Sequence, residues 1–195
     1  MTFRPALAAL AALALLALAA CREEVVEVPA PVTMTAEAVG HFCQMDLLEH
    51  PGPKAQVHLA GMPYPLFFSQ VRDAIAYQRM PEQSHAITVI YVNDMGAAGA
   101  SWEDPGNDNW TLAEGAFYVV GAAVEGGMGA PELVPFTSRE MAEEFTARNG
   151  GEVLMLAEIS DDEVLAPVEF EGDVGADDDS DFEERLRALS RGMRG

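Results

Sequence analysis

Between residues 41 and 56 the chain reads HFCQMDLLEHPGPKAQ, which puts His41, Cys43, Met45 and His50 into one short stretch. Two of these side chains are soft sulfur donors. A single residue separates them, and in an extended backbone that spacing sends thiol and thioether to the same face. Thiolate with thioether selects Cu(I). A structural Zn(II) site would want four ligands, mostly thiolate and imidazole, and one thiol is on offer here. A third donor could be Met128, set among glycines in Gly126-Gly127-Met128-Gly129, or His50, close in sequence. Met95, in the turn Asn93-Asp94-Met95-Gly96, is a further alternative. The same stretch admits other readings. Cys43 could be a nucleophile with His41 or His50 as base, giving a thiol-dependent hydrolase or lyase. That chemistry lacks a second thiol for redox cycling and any orienting acid beyond Asp46. A non-catalytic structural lipoprotein is the remaining option.

The segments around this stretch bound the possibilities. Arg4 precedes an acid-free apolar run from Ala6 to Ala20, which ends in Leu18-Ala19-Ala20-Cys21. The run falls short of the ~20 residues that span a bilayer, and reads as an export signal over residues 1–20. A small-residue site ending in cysteine resembles the lipobox of bacterial lipoproteins, which implies cleavage before Cys21 and acylation of its sulfur. The resemblance implies several acyl chains, which fits the marginal anchoring that a single chain provides. The second cysteine is then Cys43, an odd thiol in an oxidising compartment. The chain carries 32 acidic and 11 basic residues, a formal net charge of −21. Such a surface repels nucleic acid and an anionic leaflet alike, so membrane attachment has to come from lipid. Residues 21–38 read as a flexible tether with Pro29 and Pro31. Residues 161–195 read as an acidic, mostly disordered tail, ending in FEERLRALSRGMRG.

The part that folds is expected over residues 39–160. Strands are predicted over 55–60, 65–68 and 85–92, with a helix capped by Ser69 between the second and third. The order returns in the second half, with strands over 116–121, 133–136 and 152–157. There a helix opens at Thr137, with Glu140 at capping-box spacing, and stops at Gly150. The expected architecture is α+β: two related ββαβ units packed together, over about 39–95 and 110–160.

Several motifs taken together carry a family resemblance. They are the lipobox, C-Q-M-D at 43–46, H-P-G-P-K-A-Q at 50–56, Y-V-N-D-M-G at 91–96 and G-G-M-G-A-P-E-L-V-P-F at 126–136. In these the chain resembles the NosL family over roughly residues 38–160. The resemblance implies a periplasmic, lipid-anchored Cu(I) chaperone that serves assembly of the copper-sulfide centre of nitrous oxide reductase, working with an ABC-type membrane complex. It implies paired ββαβ units, no catalysis, and Cys43 and Met45 as copper ligands with Met128 as third and His50 as competitor. Arg22 after the lipidated Cys21 is not the aspartate associated with inner-membrane retention, so outer-membrane anchoring is expected.

Overall fold

The computed structural model describes residues 28–81 and 83–168. Both expected units are present. In the first, β1 (Ala55–Leu59) is the inner strand, with β2 (Leu66–Phe68) on one side and β3 (Ile87–Asn93) on the other, both antiparallel, and α1 (Val71–Arg79) connects β2 to β3. In the second, β5 (Phe117–Val120) lies between β6 (Val134–Phe136) and β7 (Glu152–Met155), and α2 (Arg139–Asn149) connects them. The strand order within each unit is the same, which is the repeat expected from the sequence. A short strand β4 (Trp110–Leu112) extends the first sheet beyond β3. It was not among the strands expected from the sequence.

The units share one core. Ala55, Val57, Phe68, Val71, Ile75, Ile90 and Val92 of the first pack in a single cluster with Ala116, Tyr118, Val120 and Leu133 of the second. Neither unit buries that surface alone, which makes the pair one folding body. A second cluster under α2 gathers Val119, Val134, Phe136 and Ala142, with Met95 packed against them.

The folded body extends beyond the bounds 39–160 in both directions. Residues 28–38, expected as part of the tether, lie along the first sheet. Val32 and the Gln56 side chain exchange two hydrogen bonds of 2.8 and 3.0 Å, Met34 N–H donates to Asn107 O, and the Met34 side chain is fully buried. The cause is Gln56, which is buried in β1 and needs polar partners that this segment supplies. At the other end, Asp161–Leu165 form a short helix α3, capped by Ser160 and Glu163, with Val164 buried. Arg72 holds it by donating to Glu163 O and Ala166 O. Residues 1–27, with the export signal and Cys21, and the tail after 168 lie outside the described residues.

Both helix starts sit one residue later than expected. Ser138, not Thr137, caps α2, its Oγ accepting from Met141 N–H, while Thr137 donates to Asp94. Gln70 stands at the N-cap of α1 in place of Ser69 and makes no capping bond there. The Glu132 carboxylate, from the other unit, accepts the free Val71 and Arg72 N–H groups instead, so a tertiary contact supersedes the local cap.

Candidate metal site

Cys43 and Met45 occupy a closed loop at the edge of the first sheet. An isolated bridge pairs Val39 with Asp46, Gly40 N–H donates to Met45 O at 3.0 Å, and Leu47 N–H donates to Ala38 O. The loop is pinned to β2 where His41 N–H donates to Phe67 O. Reversal inside so short a loop needs one residue in the left-handed region. That residue is Gln44, at φ +55°, the one non-glycine residue with positive φ among those described. Its side-chain amide donates to His41 O at 2.7 Å and Gly40 O at 3.2 Å, holding the reversal. The backbone between Cys43 and Met45 is therefore turned, and the strand-alternation argument for their shared face does not apply. The loop itself presents them. Gly40 makes room, since a Cβ there would collide with the Cys43 sulfur.

Cys43 is a half-buried free thiol. Met45 and Met128 are 43% and 37% exposed, so both thioethers are open to a ligand from solvent. Met128 also sits on a closed loop, with a bridge between Glu125 and Pro131 and a bond from Gly126 N–H to Ala130 O. This second loop is seated on the first unit. Met128 N–H donates to Gln70 Oε1 at 2.9 Å, and His50 Nδ1 lies 2.9 Å from Gly127 O. A Cβ on Gly127 would come within 2.8 Å of His50 Cβ and 3.1 Å of Ser69 O, so the approach is close enough to require glycine.

Beneath the loops lies a buried polar group that local sequence pattern does not reveal, although Lys54 and Glu132 fall within the motifs at 50–56 and 126–136. Lys54 is buried, with its ammonium donating to Pro51 O and Gly52 O. Burial lowers its pKa to about 8, against the raising effect of Glu132 and Cys43 nearby. Glu132 is buried as well, and desolvation pushes its carboxyl up to about 8 despite backbone donors from Arg72 and Leu133. Gln70, Glu132 and Gly126 meet closely: a Cβ on Gly126 would stand 2.6 Å from Gln70 Nε2 and 2.8 Å from Glu132 Oε2. Gln70 and Glu132 thus meet against the backbone of the Met128 loop.

The remaining candidates are placed elsewhere. Met95 packs into the cluster under α2, and its N–H donates to Pro135 O. His41 stacks edge-on against Phe68 and Tyr77. His50 faces a carbonyl where a catalytic base would need an orienting carboxylate, so neither histidine forms a nucleophile-activating pair with Cys43. Among the described residues no three His, Cys, Asp or Glu side chains converge as a metal-binding group. What these loops can offer a metal is one thiol, two thioethers and at most one imidazole, a set that suits a soft monovalent ion.

The family model for NosL matches residues 31–164. A copper-binding lipoprotein NosL from Achromobacter cycloclastes is 62% identical over 170 residues, covering 87% of this chain and 88% of its own length. A protein of the same name from Stutzerimonas stutzeri is 33% identical over 139 residues, covering 71% of this chain and 70% of its own length. The crystal structure of the copper chaperone NosL from Shewanella denitrificans superposes with a TM-score of 0.61 at 27% identity, covering 68% of this chain and 98% of that one. The chain belongs to the NosL family.

Proposed function

We infer that this protein is a lipid-anchored periplasmic chaperone that carries one Cu(I) and gives it up for assembly of the copper-sulfide centre of nitrous oxide reductase. The observation that carries the reading is the pair of closed loops, one bearing Cys43 and Met45, the other bearing an exposed Met128 and docked on the first unit through His50 and Gln70. Copper is cargo here, and the role is non-catalytic. Cys43 supplies the anionic ligand, Met45 and Met128 the neutral ones. Half-exposed thioethers suit release, because an incoming donor can displace them one at a time. Attachment runs through the acylated Cys21, with outer-membrane placement, and the recipient pathway is an ABC-type complex in the membrane. The relatives named as copper-binding lipoproteins and as a copper chaperone support the cargo and the anchor. Residues 1–20 serve as the signal peptide, and the segment after 168 as an acidic tail.

An anaerobic Cu(I) titration against a chromophoric chelator tests the reading. One-to-one binding is expected, with Cys43→Ser weakening it by several orders of magnitude and Met128→Ala by more than His50→Ala. Binding unaffected by Cys43→Ser would refute it.

A further inference from the structure

His50 and Gln70 are the only side chains of the first unit whose polar atoms hydrogen-bond to the Gly127–Met128 segment among the described residues. Each is committed by the chemistry of its partner. Gly127 O can only accept, so His50 Nδ1 carries the proton and donates. Met128 N–H can only donate, so Gln70 must present Oε1 to it; the reversed amide would set two donors face to face. The consequence of that orientation is visible. Gln70 Nε2 is buried with no hydrogen-bond partner, and Gln70 as a whole is 1% exposed. A buried orphan donor is unfavourable, and an apolar side chain of similar size would avoid it. What glutamine offers that such a residue cannot is the acceptor for Met128.

We propose that His50 and Gln70 form a clamp that holds the Met128 loop on the Cys43 unit, and that His50 is a positioning residue and not a copper ligand. Both bonds run between the two units, and they flank the Met128 backbone at consecutive residues. Gly127 fits between them because it lacks the Cβ that would strike His50 and Ser69. The clamp sets whether the third sulfur is available. Released, the loop leaves Cys43 and Met45 as a two-coordinate site. The inference rests on Met128 as a ligand, and its test separates the two.

Asparagine supplies the discriminating variant, since its side-chain nitrogen stands where His50 Nδ1 stands while offering a soft metal no imidazole. The first measurement is amide hydrogen exchange at Met128 in the metal-free protein. His50→Ala and Gln70→Leu should accelerate it, and His50→Asn should restore protection. The second is X-ray absorption at copper with chelator competition. Three sulfurs are expected in the wild type and in His50→Asn, two in His50→Ala and Gln70→Leu. Each of those two should lose about fivefold to tenfold in affinity, the scale of one hydrogen bond. Unchanged exchange in both variants overturns the clamp whatever copper does. If His50→Asn loses affinity as His50→Ala does, with Met128 exchange still slow, the imidazole is a ligand and the proposal fails. Altered exchange combined with a wild-type site that keeps its sulfur count in Met128→Ala overturns the ligand reading of Met128 and leaves the clamp standing.

Discussion

Replacing Glu132 should be among the most damaging single changes to this fold. Its oxygens accept from Arg72 N–H at 3.0 Å, Leu133 N–H at 2.8 Å and Val71 N–H at 3.3 Å, at a site 2% exposed. Glu132→Ala orphans these donors. Counting the two shorter bonds at about 1–3 kcal/mol each gives a loss of about 2–6 kcal/mol. Against a typical stability of about 5–15 kcal/mol that is a large fraction. Glu132→Gln keeps one acceptor oxygen and should cost about 1–2 kcal/mol. The pH dependence identifies the cause. Burial raises the Glu132 pKa from 4.5 to about 8, so the folded state holds a proton that the unfolded chain has released. Its contribution is complete below pH 4.5 and is lost as pH rises through 8, by at most about 5 kcal/mol. Burial lowers Lys54 from 10.5 to about 8, so between those values the unfolded chain binds the extra proton and stability rises with pH. The pair therefore contributes a stability minimum near pH 8. Urea unfolding followed by Trp102 and Trp110 fluorescence across pH 5–10 measures it. Glu132→Gln should flatten the falling limb and Lys54→Leu the rising one. A Glu132→Ala loss below about 1 kcal/mol, or an unaltered falling limb in Glu132→Gln, would refute the assignment of Glu132 as a buried, proton-holding cap.

Four further outcomes rest on particular contacts. Gly40→Ala should lower Cu(I) affinity by about fivefold to 150-fold, the equivalent of about 1–3 kcal/mol of overpacking, with circular dichroism unchanged, because its Cβ would collide with the Cys43 sulfur and meet nothing else closer than 3.7 Å. Gln44→Val should destabilise the loop by about 1–2 kcal/mol more than Gln44→Gly, since a β-branched residue is disfavoured at φ +55° where glycine is free; chelator competition and urea unfolding report both. Asp161→Asn should change stability by less than about 0.5 kcal/mol, its ion pair with Arg79 being 75% exposed on the acid side. Arg79→Ala should cost more in urea unfolding, because Arg79 also donates to Ile159 O.

What the sequence disclosed was local. Each of the six expected strands lies within two residues of an observed one, because β-branched runs such as ITVIYV and the ββαβ order need no tertiary information. Gly150 ends α2 with positive φ, as a C-terminal glycine should. What escaped were relations between the units. Nothing near Gln70 in sequence announces that a carboxylate 62 residues later caps its helix, or that its own amide reaches Met128. Met34 looked like tether because its burial depends on a groove built by residues far along the chain. The C-x-M spacing was legible, but its geometry was not, since Gln44 turns a stretch that alternation had treated as straight.

The repeat itself separates the candidate methionines. Matching one methionine per unit pairs Met128 with Met95, yet superimposing the connections pairs it with Met62, because the Met128 loop joins β5 to β6 as Met62 lies between β1 and β2. Both β–β connections carry a Gly-Met step, Gly61-Met62 and Gly127-Met128, and both methionines are exposed, Met62 by 47%. The preceding glycine tells them apart. A Cβ on Gly61 would meet nothing within 4 Å, whereas one on Gly127 would strike His50 and two backbone carbonyls. Gly61 adopts φ +76°, so its turn requires glycine for backbone conformation alone; Gly127 has no positive φ and is glycine because another surface comes against it. The two sulfur loops therefore do not arise from equivalent positions of the repeat, since the Cys43 loop precedes β1 and the Met128 loop follows β5. The fold supplies two similar units, and the asymmetry between them, a free loop in one and a loop seated on His50 and Gln70 in the other, sets Met128 apart from Met62.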